Sequence, residues 1–230
     1  MKELLQNSVF FGVFVSLLAY EAGMFLRSRW KLAVFHPLLL SVLLIMGILR
    51  FFELDYDFYY EGAKYLSYLL TPATVCLAVP LYEKIGLLKR HAEAIFAGIL
   101  SGVLTSLLSI FACAVLFGLT HEQYVTLLPK SITTAIGMGI SEELGGMVTI
   151  TVAVIILTGI LGNMTAGVVL RLFRIEEPVA KGIAVGSASH AIGTVRAMEM
   201  GEIEGAMSSL SIAVAGLLTV IGASIFANFI

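Results

Sequence analysis

Three polar stretches break an otherwise apolar chain, and each carries groups able to hold a small anion. The first, Leu70-Thr71-Pro72-Ala73-Thr74, sets hydroxyls on either side of a proline. Pro72 has no N–H and disfavours helix at Thr71, so one helix ends there and another begins with Pro72 in its first turn; the N–H groups of Ala73, Thr74 and Val75 then form a positive helix end. The second, Lys130-Ser131-Ile132-Thr133-Thr134, follows Pro129 and places a cation beside three hydroxyls. Ser131 or Thr133 can cap a helix there, and Lys130 adds charge to the same end. The third runs from Gly186 to Arg196 through Ser187, Ser189, His190 and Thr194. Its small residues favour unwound backbone that another group can approach closely. His190 can bond a carboxylate or carry a proton, and Arg196 suits bidentate contact with a carboxylate.

Each stretch also has a plain structural explanation. A proline kink is tolerated in a membrane helix when neighbouring groups satisfy the freed backbone. Lys130 either points into protein, where its charge needs a solute carboxylate or Glu142 or Glu143, or snorkels to the headgroups. A lone histidine is often a satisfied structural residue, and Arg196 can pair with Glu199 at helical spacing. The candidate solute-binding set is Thr71, Ala73, Thr74, Lys130, Ser131, Thr133, Thr134, Ser189, His190, Thr194 and Arg196. Ser208 and Ser209 are secondary candidates, in a small-residue run (205–210) suited first to close helix packing.

The elements that position these residues follow from composition. The 230 residues are 59% hydrophobic and only 13% charged, against about 25% charged in a soluble domain. The excess apolar surface must face lipid, and the chain reads as an all-α polytopic membrane protein. Spans of about 20 apolar residues fall at 7–26, 32–50, 91–118, 147–172 and 205–228. Segments 62–83 and 180–200 are long enough to cross but break near their middles, and 129–143 reads as a re-entrant half-helix hairpin. The expectation is about seven crossing segments plus that hairpin, in one membrane domain over 1–230. Cys76 and Cys113 lie in apolar runs and read as small core residues rather than a disulfide. The N-terminus lacks a small-residue cleavage site, so the first helix is expected to stay.

Lys and Arg in short loops set the orientation. The loops bearing Arg27, Arg29 and Lys31, then Lys84, Lys89 and Arg90, then Arg171, Arg174 and Lys181, belong in the cytoplasm. The acidic loop from Glu53 to Glu61, His121-Glu122-Gln123 and Glu202 to Glu204 are expected outside, with the N-terminus outside and the C-terminus inside. Two pseudo-repeat halves of opposite sense result, about 1–118 and 119–230, each with a broken helix. Such inverted repeats point to a secondary transporter with a site near the midplane. No nucleophile elbow, His-Glu-x-x-His run, Cys/His metal spacing or basic face is present, so enzymatic, metal-binding, cofactor-dependent and nucleic-acid-binding readings find no support.

The runs Pro72-Ala73-Thr74-Val75 with Leu77 to Tyr82, Lys130 to Thr134, Gly145-Gly146, Thr158 to Gly162, Ser189 to Thr194 and Gly205 to Leu210 resemble the LrgB/CidB family, in order and over nearly the whole chain. The chain is also similar to the C-terminal half of the plastidial glycolate/glycerate translocator. It departs from the family pattern at Ala135, where proline is common, at Gly137, where alanine is usual, and at Cys76, where alanine is expected. The resemblance implies a bacterial inner-membrane protein working with a small LrgA/CidA-like membrane partner, and a homo-oligomer is compatible with it. It implies either a carrier of small monocarboxylates such as pyruvate or glycolate, or a holin/antiholin-like role controlling murein hydrolase export and lysis. The broken helices favour the carrier.

Overall fold

The computed structural model of the chain describes residues 10–30, 37–69, 72, 75–76, 78–83 and 85–230. Among these residues the regular structure is helical throughout. The helices are α1 (Phe11–Trp30), α2 (Pro37–Phe51), α3 (Tyr56–Ser67), α4 (Ala78–Glu83), α5 (Ile85–Arg90), α6 (Ala92–Phe117), α7 (His121–Leu127), α8 (Thr134–Glu143), α9 (Val148–Leu172), α10 (Pro178–Met200) and α11 (Glu202–Phe226). Four of them, α1, α6, α9 and α11, are long and apolar enough to cross a bilayer, and α2 is a shorter apolar helix. The chain divides into two compact units, residues 1–76 and 77–230.

In the first unit α1 packs on α2 and α3. Gly12 permits the α3 contact, because a Cβ there would overlap the backbone of Tyr59 and Ala63. Ser16 Oγ and Tyr59 Oη share a hydrogen bond of 2.7 Å across the same seam. Pro72 is helical and exposed, while the rest of the break expected there, with Thr71, Ala73 and Thr74, lies outside the described residues.

The second unit is organised by α6, which stops at Gly118 in the left-handed conformation (φ 62°). A capping box between Thr120 and Gln123 then starts α7. The chain descends to a tip at 128–133 and returns through α8, because Thr151 Oγ1 of α9 reaches both the Thr126 carbonyl oxygen (2.9 Å) and Ser141 Oγ (2.7 Å). Residues 126 and 141 therefore lie side by side on antiparallel limbs. The re-entrant hairpin expected over 129–143 is thus built from α7 and α8 together, with 129–143 supplying only its tip and second limb. Gly145 (φ 79°) turns the chain into α9.

Pro178 at the first turn of α10 and the Glu177 carboxylate, which accepts from the Ala180 N–H at 3.0 Å, fix the next start. Residues 178–189 run parallel to α6 and α11. Gly98 meets Ile183 and Gly102 meets Ser187, while the Cβ positions of Gly182 and Gly186 lie 2.5 Å from the carbonyl oxygens of Glu204 and Ser208. At His190 the backbone leaves the helix (φ 41°, ψ −141°). Beyond it the order reverses, with Thr194 Oγ1 2.7 Å from Ser208 Oγ and Met198 against Gly205. A Cβ built on Gly193 would lie 3.2 Å from the Val185 carbonyl oxygen, where a straight helix would separate residues eight apart by about 12 Å. Residues 178–200 therefore form a second hairpin that enters and leaves at one end, not the expected crossing.

That hairpin corrects the expected topology. Gly182 touches Glu204, so the basic residue Lys181 and the acidic run at 202–204 share an end. The imidazole Nδ1 of His121 and the backbone oxygen of Ile230 lie 2.7 Å apart in a hydrogen bond, so the C-terminus shares an end with the 121–123 loop. The sequence expectation had separated both pairs by assigning acidic loops to the outside, although Asp and Glu weigh little in orientation. Cys76 and Cys113 are free, as expected, but exposed on helix faces rather than buried, since a thiol serves a lipid-compatible surface as a small apolar group.

Candidate solute site

The tips of the two hairpins meet at the middle of α9. Gly137, near the start of α8, has no room for a Cβ beside the Ile155 Cδ1 atom. The Ile155 carbonyl oxygen lies 3.0 Å from His190 Nε2, at the tip of the other hairpin. The buried imidazole thus ties one tip to α9 where the other tip packs. It anchors a residue held at positive φ, a conformation that costs a non-glycine residue about 1–3 kcal/mol.

A cavity of about 770 Å³ lies between α6 and the first limb of α10. It is lined by His91 and Glu177 at the end of the unit where α6 and α10 begin. It rises past Gly98, Ser101, Gly102 and Thr105 to Ser106, Ser109, Lys130 and Ser131, with Ser187 on the facing limb. At its head, Lys130 Nζ donates to Ser131 Oγ at 2.9 Å and Ser106 Oγ at 3.2 Å, and the two hydroxyls are 3.1 Å apart. Among the described residues no carboxylate lies within ion-pair distance of Lys130; Glu142 and Glu143, the partners considered from sequence, do not reach it. A lysine ammonium held only by hydroxyls in a recess is electrostatically incomplete, and a small anion would complete it.

Of the residues expected to bind solute, Lys130 and Ser131 line this cavity. Thr133 occupies the N-cap position of α8 with extended backbone and makes no side-chain cap, and Ser131 spends its hydroxyl on Lys130 and Ser106, so neither acts as the expected cap. Thr134 opens the helix beside it. Ser189 packs into the notch of Gly162 on α9. Thr194 Oγ1 donates to the His190 carbonyl oxygen at 3.0 Å or shares its proton with Ser208. Arg196 is paired with Glu199 at 2.6 Å, the second of the two roles open to it. Sequence reading places α6 as a span at 91–118 but misses its part in the site. The signal was present in Ser101, Thr105, Ser106 and Ser109, a hydroxyl ladder at helical spacing inside an apolar span.

The fold defines an all-helical membrane protein in which two opposed hairpins lie beside a cation-headed recess. The LrgB-like family model matches residues 16–229, and the chain belongs to that family. It is 36% identical over 222 residues to the antiholin-like protein LrgB of Bacillus cereus (strain B4264) and, at the same identity, to that of Bacillus anthracis (strain A0248), covering 96% of this chain and 96% of each relative. No solved structure matches it.

Proposed function

We propose that this chain is an antiholin-like protein of the bacterial inner membrane, restraining murein hydrolase export and lysis together with a small LrgA/CidA-like partner. The observation that carries the reading is the end-to-end likeness to relatives bearing that name. The basic end of the second unit, with Lys89, Arg90, Arg171, Arg174 and Lys181, then faces the cytoplasm. Deleting the gene should speed autolysis and raise secreted murein hydrolase activity on zymograms, and re-expression should reverse both. Unchanged autolysis in the deletion strain would overturn the reading.

A second reading is favoured by the cavity. In it the protein carries small carboxylates such as pyruvate or glycolate, and lysis control follows from altered metabolite flux. Lys130 and Ser131 hold the carboxylate, while Ser189, His190 and Thr194 set the second hairpin tip that backs the site. The two hairpins, each followed by a crossing helix and entering from opposite ends, replace the broken-helix pair as the inverted repeat. Labelled pyruvate and glycolate uptake into proteoliposomes should fall at least about tenfold in Lys130→Ala, since a charge-assisted contact contributes about 1.5–3 kcal/mol. Equal uptake by wild type, Lys130→Ala and His190→Ala would remove these residues from the site.

A further inference from the structure

We propose that α6 supplies half of the anion site and a route to it. In this arrangement Ser106 binds the solute together with Lys130, and Ser101 and Thr105 line a path that opens at the cytoplasmic, basic end. The inference rests on the carboxylate-carrier reading and extends it to a helix that carries no ionisable group in the cavity above His91.

The geometry of the cavity head carries the argument. Ser106 Oγ is within hydrogen-bond reach of both Lys130 Nζ and Ser131 Oγ, so the cation is shared between the hairpin tip and α6. The two hydroxyls and three ammonium protons form a set with donors to spare and no anionic acceptor among the described residues. A carboxylate entering the recess would accept from Lys130 and from a serine O–H on each side. On either side of this head along α6 the lining hydroxyls are self-sufficient. Ser101 Oγ donates to the Gly98 carbonyl oxygen and Ser109 Oγ to that of Ser106, both at 2.8 Å. Such hydroxyls offer weak, replaceable contacts along a route rather than a trap. Helix packing alone does not explain them, because Ser101, Thr105 and Ser109 are exposed to the cavity instead of pressed against α10.

Toward the far end of α6 the packing is dense: Tyr124 and Leu128 are essentially without solvent exposure, and Phe111 stacks edge-on against Tyr124. Tyr124 Oη donates to the Phe226 carbonyl oxygen at 3.0 Å, tying α7 to α11 across that end. Among the described residues that end is therefore packed, whereas the cavity lining reaches His91 and Glu177 at the basic end.

Sided thiol labelling tests this without relying on transport. In a Cys76→Ala, Cys113→Ala background, Ser101→Cys and Thr105→Cys are exposed to a membrane-impermeant methanethiosulfonate in intact cells and in inside-out vesicles, with and without pyruvate. Labelling is expected in inside-out vesicles only, and pyruvate should slow it. Adding Ser106→Ala should raise the pyruvate concentration needed for protection about tenfold or more, and Ser106→Thr should restore it. Labelling in intact cells, or none in either preparation, overturns the route. Protection unchanged by Ser106→Ala overturns the role of Ser106 while leaving the carboxylate reading intact. Labelling that pyruvate never slows, in any background, overturns the carboxylate reading and the Ser106 assignment with it.

Discussion

The placement of the C-terminus separates the hairpin topology from a simple crossing of residues 178–200, and a paired cysteine substitution measures it. His121 Nδ1 and the Ile230 backbone oxygen are 2.7 Å apart, and the rings of Phe111 and Phe229 are 5.7 Å apart between centroids. If residues 178–200 crossed instead, α11 would run the other way and Ile230 would emerge at the opposite face, about 30 Å of hydrocarbon away. The two arrangements thus differ by the thickness of the bilayer, far beyond any local rearrangement. His121 is exposed and Ile230 is half-buried at the edge of the core, so cysteines at these two positions cost one hydrogen bond and one peripheral apolar contact. In the Cys76→Ala, Cys113→Ala background, a short bis-maleimide should join His121→Cys to Ile230→Cys within one chain. Mass spectrometry of the linked peptides reads the product, and each single variant should label with an impermeant maleimide from the same face of the membrane. Failure to link, with the two single variants labelling from opposite faces, would refute the reversal at His190 and every contact argument built on it.

Gly182→Ala and Gly186→Ala should each destabilise the detergent-solubilised protein by about 1–3 kcal/mol, because the new methyl meets backbone oxygen at 2.5 Å; the fall is read in Tm. In a straight crossing helix these changes would instead stabilise by up to about 1 kcal/mol, so the sign decides. For His190, stability should fall in the order wild type, His190→Gly, His190→Ala, since both variants lose the Ile155 contact but only alanine keeps the positive-φ strain; equal losses in a thermal-shift series would deny that strain. Tyr124→Phe, which removes the donor to the Phe226 carbonyl oxygen, should cost about 1 kcal/mol, and an unchanged Tm would show that water or another group replaces it.

How far the sequence reaches is clearest at three places. The apolar runs of α1, α6, α9 and α11 are legible because burial in lipid requires long uninterrupted hydrophobic stretches, and these four correspond to the expected spans within a few residues. The break around His190 is legible as well, since a glycine- and serine-rich polar run cannot remain a regular lipid-facing helix. Its direction was not. A kink and a reversal use the same residues, and the difference lies in what Gly182, Gly186 and Gly193 touch: Glu204, Ser208 and Val185. Those contacts are tertiary, and a glycine has no side chain to announce its neighbour. Orientation then failed by one consistent step, because a segment counted as a crossing inverts everything after it, which is why His121 and Ile230 were placed on opposite sides. Lys130 stands out as a cation where charge is expensive, whereas Ser106 does not, since a serine in a membrane span can always bond its own helix backbone and so draws no notice. Only the hairpin bringing Lys130 against α6 gives that hydroxyl a role. The candidate site is therefore half visible in sequence, and the visible half is the one whose charge needs a partner from elsewhere in the fold.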